Sequence, residues 1–148
     1  MYADALFAAG ETQAASETYE LALERDSEHP ESLLGFAAVL LRGEKEREAR
    51  AILQRVDASL RRRIRPPALR ARMLTLRGRA ELMDGDASGA RDVLRQATEL
   101  AGVPADAFFY LGEALSGSNS AEARTAYEAY LERAPTGPLA RRARRAIR

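Results

Sequence analysis

The sequence predicts an all-α protein built as a stack of helical hairpins, and three observations carry that prediction. Ala, Leu, Arg and Glu, all good helix formers, dominate the 148 residues. Apolar residues recur at i, i+4 and i+7, the spacing of one helical face, as in Ala123, Tyr127 and Tyr130. That face then appears four times. Its copies are Ala15, Tyr19, Ala22 and Leu23; Ala49, Leu53 and Val56; Ala90, Leu94 and Ala97; and Ala123, Tyr127, Tyr130 and Leu131. Four copies of one pattern make an internal repeat.

Each copy follows a second, more apolar helix. The first of these begins at Met1 and is short, so Tyr2, Leu6 and Phe7 are expected to be only partly covered, open to a preceding segment or a second subunit. Gly10 breaks the chain before the Ala15 helix. SLLGFAAVL supplies Leu33, Phe36, Ala37 and Leu40 to the next leading helix, and Gly43 ends it.

The repeat alanines are separated by 34, 41 and 33 residues, so the middle interval holds about seven extra positions, within DASLRRRIRPPALRAR, Asp57 to Arg72. Seven residues are about two helical turns. The Ala49 helix is therefore expected to run long and to stop before Pro66 and Pro67, since a residue preceding proline avoids helical dihedrals.

The following helix has two apolar faces at 100° per residue. One carries Leu69, Met73, Leu76, Ala80 and Met83, the other Ala71, Leu74, Gly78 and Leu82. Charged stripes separate them, Arg70–Arg77–Glu81 and Arg72–Thr75–Arg79, as expected of a helix buried on two sides. Gly85 then opens the way to the Ala90 helix.

FFYLGEAL supplies Phe108, Leu111, Gly112 and Leu115 to the fourth leading helix, broken at Gly117. Pro135 stops the Ala123 helix because proline cannot donate an interior backbone bond. Pro138 opens LARRARRAIR, in which Leu139, Ala143 and Ile147 are expected to face the last hairpin. Arg141, Arg142, Arg144, Arg145 and Arg148 are expected to face water.

Composition removes several functions. Without Cys there is neither a disulfide framework nor a thiolate metal site. The longest apolar run, LLGFAAVLL, falls far short of the roughly 20 residues a membrane helix needs. Asp4 and the absence of an early basic residue argue against a signal peptide, so the expected location is cytoplasmic, or periplasmic if the chain is a fragment. His29 lies in a turn, and Asp84 and Asp86 in MDGDAS read as a turn with a helix N-cap rather than a calcium loop. No Gly-rich phosphate loop is present. No catalytic residue, metal or cofactor is expected.

The net charge of +1 conceals blocks. Residues 1–48 carry −7, 49–80 carry +9, 81–132 carry −7 and 133–148 carry +6. Basic and acidic faces are therefore expected to meet within the stack or between copies. Lys45 is the single lysine, an arginine bias that suggests a GC-rich bacterial genome.

Helix, tight turn and helix repeating near 34 residues resembles the tetratricopeptide repeat family. The family's aromatic, Leu-Gly and terminal proline positions are matched in the fourth copy, with Phe108 and Leu115 for the large aromatics and Pro135 for the proline. The resemblance implies a right-handed α-solenoid of about four hairpins, over residues 1–29, 30–65, 66–102 and 103–136, plus a capping helix over 137–148. It also implies a protein-interaction scaffold or adaptor whose concave face, lined by the first helix of each hairpin, holds a protein or peptide segment.

Carried over by position, that face would present Glu31, Leu34, Ala38 and Leu41 from the second hairpin. The third would add Arg72, Thr75, Arg79 and Leu82, and the fourth Asp106, Phe109 and Glu113. The Lys/Asn clamp with which some family members grip chaperone tails is missing, since Leu34, Ala38, Thr75 and Arg79 stand there.

Two alternatives remain at this point. Arg61, Arg62, Arg63 and Arg65 form a basic patch suited to phosphates, but no aromatic residue interleaves with it as a stacking platform, and the flanking acidic blocks oppose a polyanion. Nucleic acid is thus disfavoured. The other is a homo-oligomer joined through the short first hairpin and the basic cap.

Overall fold

The computed structural model describes all residues from Met1 to Arg148 and contains nine helices. They are α1 (Tyr2–Ala8), α2 (Thr12–Arg25), α3 (Pro30–Arg42), α4 (Glu46–Arg62), α5 (Pro67–Met83), α6 (Ala87–Thr98), α7 (Asp106–Leu115), α8 (Ser120–Arg133) and α9 (Ala140–Ala146). Four hairpins, α1–α2 through α7–α8, stack in sequence, and α9 covers the end.

Two layers result. The leading helices α1, α3, α5 and α7 touch one another along the stack and form the inner row. In the outer row, α2, α4 and α6 each pack against their own leading helix and the next one, and α8 packs against α7 and α9. A hairpin of this kind cannot bury both of its apolar faces alone, so stacking creates the core. The repeat alanines Ala15, Ala49, Ala90 and Ala123 are all buried in it, where their small size lets the helices approach closely.

The inserted residues behave differently from the sequence expectation. Helix α4 does run long and does stop before Pro66, but it does not take up the two extra turns alone. Both α4 and α5 span 17 residues, against 13 for α3 and 14 for α2 and α8. The insertion is shared because Pro67 sits in the first turn of α5, where its fixed φ and missing N–H are harmless. Helix α5 is then long enough to pack against α3, α4, α6 and α7, which accounts for its two apolar faces. Met73, Leu74, Ala71 and Ala80 are all buried.

Side chains fix several helix starts. His29 caps α3, its Nδ1 accepting from the Ser32 N–H at 3.3 Å, with Pro30 in the first turn. Asp86 caps α6, accepting from the Gly89 N–H at 2.8 Å, and Asn119 caps α8 through the Glu122 N–H at 3.1 Å. These caps satisfy otherwise orphaned backbone donors. At the α3–α4 turn the left-handed conformation falls on Glu44 (φ 59°), the residue after Gly43.

Candidate functional site

The inner face is not quite the one expected. Leu34, Thr75 and Phe109 are buried, as are Ala38 and Leu41, so these five do not form an exposed apolar strip. Leu34 belongs to the central core cluster, and Phe109 makes edge contacts with the rings of Tyr110, Tyr127 and Tyr130. The Thr75 hydroxyl is used internally, donating to the Ala71 carbonyl at 2.7 Å. Along each leading helix these positions turn toward the neighbouring hairpin, and stacking covers them. Glu31, Arg72, Arg79, Leu82 and Glu113 are half-buried, and Asp106 is exposed.

A hollow of about 330 Å³ nevertheless opens between the C-terminal ends of α3, α5 and α7, and α9 closes one side. Four expected residues line it: Leu41, Arg79, Leu82 and Glu113. Sequence reasoning missed Arg42, Tyr110 and Arg142, and Glu44 and Met83 complete the lining.

Each missed residue is held by its neighbours. Arg42 donates to the Phe7 carbonyl at 2.7 Å, and its guanidinium lies 3.5 Å from the centroid of the Phe7 ring. Arg142 reaches back from α9 to pair with Glu113 at 3.6 Å and stands 4.9 Å from the Phe109 ring. The Arg79 guanidinium lies 5.7 Å from the centroid of the Tyr110 ring. Burial pushes the Tyr110 phenol above its ordinary pKa, against the pull of Arg79. Three guanidinium groups thus converge on one hollow, with the carboxylates of Glu44 and Glu113 beside them and an apolar lining that includes Leu82, Met83 and Tyr110.

At both ends of the stack a tyrosine links an outer helix to a carboxylate on the leading helix. Tyr19 donates to Asp4 and Tyr127 donates to Glu113, the latter at 2.8 Å. Burial first, and then the hydrogen-bonded carboxylate, push both phenols well above the ordinary tyrosine range. Arg72 opposes the shift at Tyr19 and Arg142 opposes it at Tyr127. Burial alone would raise the Asp4 carboxyl, but the Tyr19 hydrogen bond, the N-terminal ammonium and Arg72 outweigh it and hold Asp4 below its ordinary value.

The first hairpin offers less open apolar surface than its sequence suggested. Leu6 is buried and Phe7 lies under Arg42, leaving only Tyr2 of the three widely exposed. In the basic patch, Arg61 and Arg62 end α4 and Arg63 and Arg65 follow in the linker. Arg61 is paired with Asp57 at 3.0 Å. The charge blocks do meet between hairpins: Arg55 pairs with Glu28, Arg50 with Glu81 and Asp84, and Arg142 with Glu113.

Comparison with known proteins agrees with the fold. Two family profiles, each described as tetratricopeptide repeat, match residues 6–73 and 75–138. A crystal structure of MamA is similar at 25% identity and a TM-score of 0.66, over 98% of this chain and 74% of that one. YrrB, described as a tetratricopeptide-repeat protein with an unusual peptide-binding site, is 24% identical with a TM-score of 0.60, over 90% of this chain and 66% of its own. A thermophilic repeat protein of Thermus thermophilus is 20% identical with a TM-score of 0.62, over 99% of this chain and 95% of that one. The last two are likenesses of fold alone. No curated protein matches the chain. No helix is long and apolar enough to cross a membrane.

Proposed function

The chain belongs to the tetratricopeptide repeat family, and from that premise we propose that it is a protein-interaction scaffold whose inner hollow takes a peptide segment pairing an acidic with an apolar side chain. The observation that carries this reading is the convergence of Arg42, Arg79 and Arg142, from three different helices, on a hollow also lined by Leu82 and Tyr110. Arginine presents a rigid fork suited to a carboxylate, and an aromatic or aliphatic anchor beside it supplies apolar contact. A single carboxylate suits the site better than a polyanion, because Glu113 already occupies part of the field of Arg142. The description of YrrB as a peptide-binding repeat protein supports the class of ligand.

The test is selection from a random displayed peptide library, followed by titration of a selected, fluorescently labelled peptide. Enriched peptides are expected to carry Asp or Glu beside a large apolar residue. Arg79→Glu combined with Arg142→Glu should weaken binding at least tenfold, equivalent to about 1.4 kcal/mol. Arg61→Glu with Arg63→Glu should leave it unchanged. Selected peptides that bind both double variants alike would sink the proposal. Affinity for RNA oligonucleotides that falls steeply with salt and depends on Arg61 and Arg63 would move the function to the basic linker.

A further inference from the structure

The first hairpin leaves open positions that later hairpins press against the hairpin before them. Thirteen residues before each repeat alanine stand Tyr2, Phe36, Arg77 and Tyr110. Phe36 packs on the cluster of Ala3, Leu6, Ala15 and Tyr19 from the first hairpin. Arg77 borders one cleft with Arg50 and Gln54 of the second, and the Tyr110 ring faces Arg79 of the third. Ten residues before the alanine, the first three hairpins carry Ala5, Val39 and Ala80. Val39 is buried in the first hairpin's cluster, and Ala80 is buried with Leu40, Leu41 and Ala49 of the second. Six residues after the alanine, Arg55 reaches back to the Ser27 carbonyl and Glu28, and its counterpart in the first hairpin is Leu21. Tyr2 is 72% exposed, Leu21 is 60% exposed and Ala5 is exposed with them. One edge of α1–α2 therefore shows water the kind of surface that the stack buries at each internal boundary.

The two ends of the stack also carry opposite charges that find no partner within the chain. From Met1 to Asp26 the one basic side chain is Arg25. Glu11, Glu17, Glu20 and Glu24 are exposed and form no ion pair; Glu17 and Glu20 meet only the neutral side chains of Gln13 and Ser16. At the other end, residues 133–148 hold six arginines and no acid. Arg141, Arg145 and Arg148 are exposed and unpaired, and Arg144 donates only to the Pro135 carbonyl. Inside the stack such charges do pair across hairpin boundaries. Arg50 meets Glu81 and Asp84, and Arg95 meets Glu122, the base lying in the earlier hairpin each time. A basic last segment followed by an acidic first hairpin continues that order. Beside the arginines, between the start of α8 and the end of α9, lies a hollow of about 560 Å³ with Ala121, Ala146 and Ile147 in its apolar lining. Ala121 and Ala146 are exposed and Ile147 is half-buried, so this lining is open to an incoming side chain.

We propose that the chain associates with itself head to tail, the α1–α2 edge of one copy docking on the α8–α9 end of the next. Tyr2, Ala5 and Leu21 meet the apolar hollow, and the carboxylates of α2 face the guanidinium groups of α9. Single surface pairs add little, but opposed fields of this kind select a partner and fix its orientation. Two first hairpins face to face would set acid against acid, and two α9 ends would set base against base, so the charges oppose a symmetric dimer. A contact between unlike surfaces repeats from copy to copy and gives rings or open chains. The inference goes beyond the inner-hollow reading and does not rest on it.

The experiment is sedimentation velocity of the full chain over a wide range of protein concentration, at low and at high salt. The weight-average sedimentation coefficient should climb with concentration, and climb less at high salt. Glu17→Arg with Glu20→Arg reverses one end, and Arg145→Glu with Arg148→Glu reverses the other. Each double variant alone should raise the dissociation constant at least tenfold, and an equimolar mixture of the two should associate again. Tyr2→Ala with Leu21→Ala should weaken association at either salt, while Arg79→Glu in the inner hollow leaves it intact. Helical circular dichroism checks folding, and recovery in the mixture shows independently that both charge variants keep their surfaces. The proposal is overturned if the native chain stays monomeric at every concentration, which leaves the α1–α2 edge to a different partner. It is equally overturned if only the Glu17 and Glu20 variant dissociates, which means that two first hairpins meet, or if the mixed variants stay apart.

Discussion

The end hairpins and the middle hairpins solve the same packing problem with different side chains. At one repeat position, four residues after the repeat alanine, the ends carry Tyr19 and Tyr127 and the middle carries Leu53 and Leu94. All four are buried. Leu53 and Leu94 lie in the central cluster of 13 residues, where their neighbours in the stack are largely apolar. The tyrosines fill smaller clusters at the ends and extend a hydroxyl to Asp4 and Glu113. Where neighbouring hairpins surround the position, a hydrocarbon suffices. In the first and fourth hairpins an aromatic ring carries a polar tip that ties the outer helix to the leading helix, as amphipathic aromatics do wherever one end is dry and the other wet.

That contrast is broken most forcefully at its apolar end. Leu94→Ala leaves a cavity in the central cluster and should cost about 2–5 kcal/mol, read as a lower urea midpoint at unchanged slope. Tyr127→Phe keeps the ring and loses only the hydroxyl, so it should cost far less. Equal losses would mean that the end hairpins depend on the hydrogen bond rather than on packing, and the comparison would fail.

A second cut separates the glycines beneath these side chains. A Cβ at Gly35 of α3 would overlap the Tyr19 ring, which Asp4 holds in place from the other side. Gly35→Ala gains about 1 kcal/mol of helix propensity but overpacks by about 1–3 kcal/mol, so a net loss is expected. At Gly112 the corresponding ring atoms of Tyr127 lie 2.8 Å from the added carbon, a milder overlap and a smaller expected loss. Thermal midpoints of the two alanine variants decide it, and a stabilised Gly35→Ala would show that the Tyr19 ring moves freely.

Much of this was visible in the sequence. The alanine rhythm, the two apolar faces of α5 and the capping role of Asp86 follow from local spacing and side-chain chemistry, which neighbours only reinforce. The inner surface was less legible. Phe109 and Tyr110 are adjacent, and which of them faces the hollow depends on where α8 and α9 press against α7. Arg42 and Arg142 came to the site from helix ends that a repeat template does not count. The division of the insertion between α4 and α5 was hidden because a spacing between alanines gives the number of added residues, not the helix that takes them. Glu44 in the left-handed conformation gave no signal, since the neighbouring glycine is the residue chemistry favours there.

The smallest effects test the polar tips themselves. Tyr19→Phe and Tyr127→Phe should each cost about 1 kcal/mol, because the partner carboxylates are partly open to water and recover hydration when the donor is lost. The pH dependence sharpens this. In the folded state both phenols are raised above the ordinary value of 10.0, so the neutral form is favoured there and the unfolded chain ionises first. Their contribution is complete below pH 10 and is lost as pH climbs through the folded values, making stability fall on the alkaline side. Absorbance at 295 nm should show that these two phenols remain neutral after pH 10 is passed, and urea midpoints should decline over the same range. The paired phenylalanine variant should decline less. If its alkaline slope matches that of the native chain, the carboxylate bonds add nothing to the ends and the tyrosines differ from the leucines only in size.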